Sequence, residues 1–466
     1  MAGESFRLKL GSVGPGHSKN RNVQVEAGRL TWHGVCQVHK LNTESDFRMS
    51  DQGNAMTSVQ EFKSGWRVLL VAAMGVTCGI TAVPIYTIGA FVGPLEDAYG
   101  WSRGAIQSAT VFAYLTLVFA GPAAGYLTDH YGPRRVALWS VFGISIAVGS
   151  ASVLASTLWG LYLAYALIGI LGAGTSPVVW TRAVSSWFVK KRGLAFGITL
   201  MGTGLFATVG PVYVTFMIGE FGWRGGYLAL AFVPIVFVLP LVYFWFFERE
   251  GEDQTQTQSP ESAENSDAGM DLNSALSTSG FWIIGLSFLL FSTGISGFIA
   301  SYIPMLTDQG LTRGEAASMA GSIGISVLLG RLVMGILLDH FRASFLSAGI
   351  MLLPALGCFL WGTGVAGSSG ALMAAIFIGL AGGAEFDLVA YMTSRYFGLR
   401  HYGKLYGILF SSVIAGAAIG PLMFGFGYDM TGSYDTVLLT VTGLFLVGSV
   451  SQLFLGAYPK SFLVKE

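Results

Sequence analysis

From Trp66 to Leu455 the chain reads as a succession of apolar stretches separated by short polar segments. Each stretch is about twenty residues or longer, which is what a helix needs to cross a hydrocarbon core of ~30 Å. The pattern predicts spans at Trp66–Leu95, Gly104–Thr128, Val136–Ala155, Leu158–Trp187, Leu194–Ile218 and Gly226–Phe247. A second set is predicted at Ser279–Met305, Glu315–Leu338, Phe345–Val365, Gly370–Tyr396, Leu405–Phe426 and Tyr434–Leu455. The segment between the sets, 248–277, opens on Glu, Asp, Gln and Ser without apolar periodicity and reads as a linker. The expected fold is an all-α membrane protein of twelve transmembrane helices, arranged as two pseudo-symmetric six-helix bundles over residues 61–247 and 278–457.

Composition supports this reading. Charged residues make up 11% of the chain and hydrophobic ones 53%, whereas a soluble domain carries roughly 25% charged residues. A surface facing lipid removes the need for that missing charge. Glycine, at 64 residues, suits membrane helices because it lets backbones approach closely. Residues 1–60 differ: they are polar, hold Arg7, Lys9, Lys19, Arg21 and Arg29, and read as a disordered cytoplasmic tail, with Met49 or Met56 as alternative starts. No apolar run lies close enough to Met1 to be a signal peptide. Residues 458–466 read as a second short tail. Cys36, Cys78 and Cys358 form neither a disulfide framework nor a metal-ligand spacing, and no metal or other cofactor is expected. The formal net charge of zero gives no reason to expect nucleic acid as a partner.

Short-loop charge sets the expected orientation. With the amino terminus inside, the inner loops hold Arg134, Arg135, Lys190, Lys191, Arg192, Arg342, Arg400 and Lys404, against Arg103, Arg224 and Arg313 outside. Both termini are therefore expected in the cytoplasm, in a multi-pass inner or plasma membrane protein. The two sets of spans also repeat each other. Gly125-Tyr-Leu-Thr-Asp129-His130 is matched by Gly335-Ile-Leu-Leu-Asp339-His340, and Trp187-Phe188, Gly197 and Gly210-Pro211 by Tyr396-Phe397, Gly407 and Gly420-Pro421. Matched halves suggest a transporter with its site between them.

The residues Gly125, Asp129, Gly132, Arg134 and Arg135 resemble the loop signature of the major facilitator superfamily, with a degenerate second copy at Asp339 and Arg342. The resemblance runs from about Trp66 to Leu455 and implies a cytoplasmic gate at these positions. Within the superfamily, Trp187-Phe188-x-Lys190-Lys191-Arg192-x-Leu194-Ala195-x-Gly197 resembles the monocarboxylate transporters. Gly330-Arg331-x-x-x-Gly335 resembles the segment whose arginine meets the substrate carboxylate in those carriers and in oxalate:formate antiporters. Val327 stands where animal monocarboxylate carriers have an aspartate, and Leu409 where the oxalate carrier has a lysine.

An ionised group inside a bilayer costs a few kcal/mol or more and needs a partner or water. Arg331 lies about 12 Å deep, two turns before the predicted end of its span. A planar guanidinium can hold a carboxylate through two parallel hydrogen bonds. It reads as a substrate clamp or as half of a structural ion pair. Glu385 and Asp387 fall near mid-membrane, where they could couple protons or latch onto Arg331. Being two apart on a helix, they cannot face one small site equally. Arg182, near the inner surface, reads as a snorkelling or gate-pairing residue. Thr81 and Tyr86 on the first span, and Tyr302 on the seventh, are candidate pocket residues, and Pro84 should free a backbone carbonyl nearby. The expected activity is secondary active transport of a small organic anion, a monocarboxylate above all, by alternating access coupled to protons. Exchange against a counter-anion is the alternative, and a non-transporting sensor a remote one. No nucleophile–base constellation suggests an enzyme, and a monomeric state is expected.

Overall fold

The computed structural model describes residues 58–188, 191–247, 269–338, 340–367, 369–398, 400–456 and 458. The expected tails at 1–57 and 459–466, the linker as far as residue 268, and Asp339 lie outside the described residues. The first half of the chain forms α1 (Ser58–Thr77), α2 (Val83–Tyr99), α3 (Arg103–Gln107), α4 (Ala109–Tyr131), α5 (Pro133–Leu154), α6 (Leu158–Leu171), α7 (Pro177–Trp187), α8 (Arg192–Leu200), α9 (Gly202–Val233) and α10 (Leu239–Trp245). The second half forms α11 (Leu272–Leu276), α12 (Ser279–Asp308), α13 (Arg313–Leu338), α14 (Ala343–Gly362), α15 (Ser369–Phe397), α16 (Tyr402–Thr431) and α17 (Asp435–Leu453). No strand forms among the described residues; one isolated bridge joins Gly269 to Gly398.

Among the described residues, nine helical stretches are long and apolar enough to cross a membrane. Their outer faces carry Phe119, Trp139 and Val153, each about three-quarters exposed. Exposure of such side chains to water would forgo about 1.5–3 kcal/mol apiece, a cost that lipid removes.

Two of the predicted spans are broken by irregular turns, each for a local reason. Trp66–Leu95 separates into α1 and α2 because Pro84, in the first turn of α2, lacks the N–H that would continue the helix. Leu158–Trp187 separates into α6 and α7 across a 3-10 turn, Ala173–Thr175, and α7 restarts at Pro177. The two breaks meet: Ile80 N donates to Thr175 Oγ1 at 3.0 Å, and Trp180 Nε1 donates to the Thr175 carbonyl at 3.0 Å. Irregular backbone at membrane depth persists where protein groups satisfy it in this way. Elsewhere two predicted spans are joined: α9 runs through the expected loop between Ile218 and Gly226, but Gly222 turns the chain there with φ 68°, a conformation glycine adopts without penalty.

Glycines set the close crossings. A Cβ on Gly330 would strike Leu380 O, one on Gly379 would strike Ile323 O, and one on Gly383 would strike Val327 O, so α13 and α15 lie backbone to backbone. Gly321 and Gly324 do the same for α13 against Thr208 of α9. On α2, a Cβ at Gly89 would come within 2.6 Å of Ala300 O on α12.

Near its amino-terminal end, α3 is tied to the second half by one buried arginine. Arg103 donates to Asp308 through Nη1 at 2.6 Å and Nη2 at 2.8 Å, to Glu96 through Nε at 3.1 Å, and to the Tyr434 hydroxyl at 3.4 Å. Its guanidinium lies 4.0 Å from the centre of the Tyr428 ring. The backbone N–H groups of Arg103 and Gly104 donate to Asp429, and Arg313 pairs with Asp97. At the opposite end Asp129 pairs with Arg182, Arg134 donates to the Tyr243 carbonyl, and Arg342 donates to the Gly456 carbonyl at 3.0 Å. Arg103→Gln should loosen this tie between the halves. In a cysteine-free background carrying Ile299→Cys, a membrane-impermeant maleimide added from the Arg103 side should label the variant several-fold faster than the parent. Equal labelling would show that the network does not hold that end shut.

Candidate functional site

The α13–α15 crossing builds the charged part of the site. Because Gly383 rests on the backbone at Val327 and Arg331, the side chains that follow it on α15 emerge beside the arginine. Arg331 is 6% exposed. Its Nε lies 3.6 Å from Asp387 Oδ2, and neither Nε nor Nη1 has a hydrogen-bond partner. The ion pair thus holds the guanidinium by its edge and leaves donors unused. Glu385, two residues before Asp387, points elsewhere: it is 5% exposed and faces a cavity, with Ser292 of α12 beside its carboxyl group and Oε1 without a hydrogen bond.

That cavity is narrow, with a volume of about 70 Å³. Both halves of the chain line it. Thr81 and Tyr86 come from the α1–α2 break and α2, Tyr114 from α4 and Thr203 from α9. The second half adds Ser292, Ser296, Arg331 and Glu385, with apolar walls from Ile85, Ile295, Ile299, Phe386, Val413 and Ile414. Thr81 Oγ1 is buried without a partner, and Tyr86 lies within electrostatic reach of both Arg331 and Glu385. The arrangement offers a cation with spare N–H groups, a carboxylate, several hydroxyls and apolar walls.

Of the residues proposed from sequence, Thr81, Tyr86, Arg331 and Glu385 share this cavity, and Asp387 adjoins it through Arg331. Tyr302 is not brought there. It is fully buried, stacks on Phe298 and donates to the Ala371 carbonyl at 3.0 Å, an arrangement that packs α12 against α15. Tyr114, Thr203, Ser292 and Ser296 were missed, since hydroxyl residues recur throughout the apolar spans and nothing in their spacing separates cavity walls from helix contacts. Gly125, Asp129, Gly132, Arg134 and Arg135 lie at the far end of α4 and the start of α5. There Asp129 pairs with Arg182 of α7, and Arg134 stacks 4.1 Å from the Phe247 ring centre. Arg342 stacks over Phe345 and Tyr458.

The Major Facilitator Superfamily model matches residues 68–384 and 284–462, nearly the whole helical region. The chain belongs to the major facilitator superfamily. Human monocarboxylate transporter 11 is 26% identical over 407 residues, covering 83% of this chain and 82% of that protein. The oxalate:formate antiporter of Oxalobacter formigenes is 25% identical over 265 residues, covering 55% of this chain and 58% of that protein. The inward-open structure of the xylose transporter from E. coli superposes with a TM-score of 0.64 at 15% identity, covering 85% of this chain and 97% of that one. As a major facilitator protein with many apolar helices, the chain is a multi-pass membrane transporter.

Proposed function

We propose that this transporter carries a small monocarboxylate by alternating access and couples its movement to protons. The observation that carries the reading is Arg331, a buried guanidinium with unused donors facing a cavity lined by both halves of the chain. The names of the monocarboxylate and oxalate:formate relatives support the same substrate class. The chain would span the membrane twelve times in two six-helix bundles. The count is reached by adding the turn at Gly222 and the broken pairs α1–α2 and α6–α7 to the nine apolar stretches. Both termini would lie in the cytoplasm, with the Asp129 end inside and the Arg103 end outside.

A substrate carboxylate would take the donors of Arg331 that Asp387 now shares. Asp387 would then lose its cation, and a carboxylate without a counter-charge at that depth favours its protonated form. Binding substrate and binding a proton become one event. Bidentate pairing of a carboxylate with Arg331 would close the site from the inner side while the ties around Arg103 open.

Uptake of a labelled monocarboxylate panel into proteoliposomes, with and without an inward proton gradient, tests this directly. Accumulation should follow the gradient for at least one acid. Asp387→Asn should abolish gradient-driven accumulation while sparing counterflow exchange. Glu385→Gln, run beside it, shows whether the second carboxyl also serves coupling. Gradient-independent uptake that requires a counter-anion inside would replace symport by exchange.

A further inference from the structure

Glu385 is left without a role by carboxylate binding alone. Arg331 and Asp387 together carry no net charge, and a simple carboxylate with one proton on Asp387 keeps that balance while leaving the buried Glu385 carboxyl without a partner. A substrate bearing a carboxylate and an ammonium gives each group an opposite charge. In that loaded site carboxylate and Arg331 cancel, ammonium and Glu385 cancel, and one proton on Asp387 leaves the whole neutral. Neutrality is what a site must approach to move through a low-dielectric interior.

The geometry matches that arithmetic. Glu385 Oε1 and Arg331 Nη1 are both buried without a hydrogen-bond partner, and both residues line the same cavity. Both groups emerge from one helix crossing, because Gly383 sets the α15 backbone against Val327 and Arg331 of α13. Glu385 follows Gly383 by two residues, about 3 Å along the helix and about 200° around it, so it enters the pocket that Arg331 also lines from a different face than Asp387. Tyr86 is within reach of both. The apolar part of the wall, Ile85, Ile295, Ile299, Phe386 and Ile414, suits an apolar side chain.

We propose that the cargo is an amino acid zwitterion with an apolar side chain, its carboxylate on Arg331 and its ammonium on Glu385. The inference rests on the carboxylate reading above and narrows it. An ammonium meeting a buried carboxylate makes a charge-assisted hydrogen bond, and a ligand lacking the amine leaves that carboxylate stranded. Glu385 is then a specificity residue that touches substrate, while Asp387 handles the proton.

The experiment compares two ligands of one skeleton, leucine and 4-methylpentanoate, which lacks the amine, by thermal shift on the purified full-length protein. The wild type should be half-stabilised at a leucine concentration at least tenfold lower than that needed for 4-methylpentanoate. Glu385→Gln, whose melting temperature without ligand reports its folding, should remove or invert that preference while still responding to the simple acid. Equal or better binding of 4-methylpentanoate by the wild type overturns the zwitterion assignment and leaves the carboxylate reading standing. An unchanged preference in Glu385→Gln overturns the role of Glu385. If neither ligand nor any other member of the acid panel shifts the wild type, the carboxylate reading fails and this inference fails with it.

Discussion

Arg331→Ala should abolish the substrate-induced thermal shift, and Arg331→Lys should weaken substrate binding by about ten- to a hundredfold. The lysine keeps the charge but loses the planar fork. A hydrogen bond to a charged group contributes about 1.5–3 kcal/mol, and losing one accounts for a change of that size. The alanine variant also distinguishes a substrate clamp from a structural ion pair. Arg331 meets Asp387 through one 3.6 Å contact, with Nε and Nη1 making no hydrogen bond, so the pair is an edge contact and the protein should fold without it. Asp387 is the group left exposed to loss of its cation, and Asp387→Asn added to Arg331→Ala should recover whatever stability the single variant loses. A stable alanine variant that no longer responds to ligand supports the clamp. One that keeps the wild-type shift removes Arg331 from the site.

Gly383→Ala should lower stability by about 1–3 kcal/mol, the usual cost of forcing an extra methyl group into a packed interior. It should also reduce transport further than stability alone explains. The added Cβ would collide with Val327 O and come within 3.0 Å of Arg331 N. Neither atom belongs to a flexible side chain, so the helices themselves must separate. That separation moves Arg331 away from Glu385 and Asp387 together. Gly349→Ala on α14, where nothing lies within 4 Å of the new methyl, should leave the melting temperature and uptake unchanged. Comparable losses in both variants would mean that the α13–α15 contact has no special place in the site.

Much of the architecture is legible in one dimension. Long apolar stretches declare helices because a bilayer forbids unpaired backbone, and this constraint acts on each span separately. The matched motifs around Asp129 and Trp187, and their counterparts in the second half, declare the family for the same reason: they are local strings. Arg331, Glu385 and Asp387 are conspicuous because a charge is costly wherever lipid surrounds it. What the sequence could not say is how those charges are shared. Their spacing said that Glu385 and Asp387 face different ways, but only the α13–α15 crossing turned one toward the cavity and the other toward Arg331. Arg103 looked like an ordinary loop charge, yet the fold buries it among Asp308, Glu96, Tyr428 and Tyr434. Tyr302 looked like a pocket residue, and packing against Trp361 and Phe298 took it out of the pocket. Periodicity and motif spacing therefore determined the helices, the family and the residues rich in chemistry. Only the tertiary structure decided which of those residues meet, because partners on different helices are chosen by where glycines let backbones touch, and that choice is made between segments far apart in the chain.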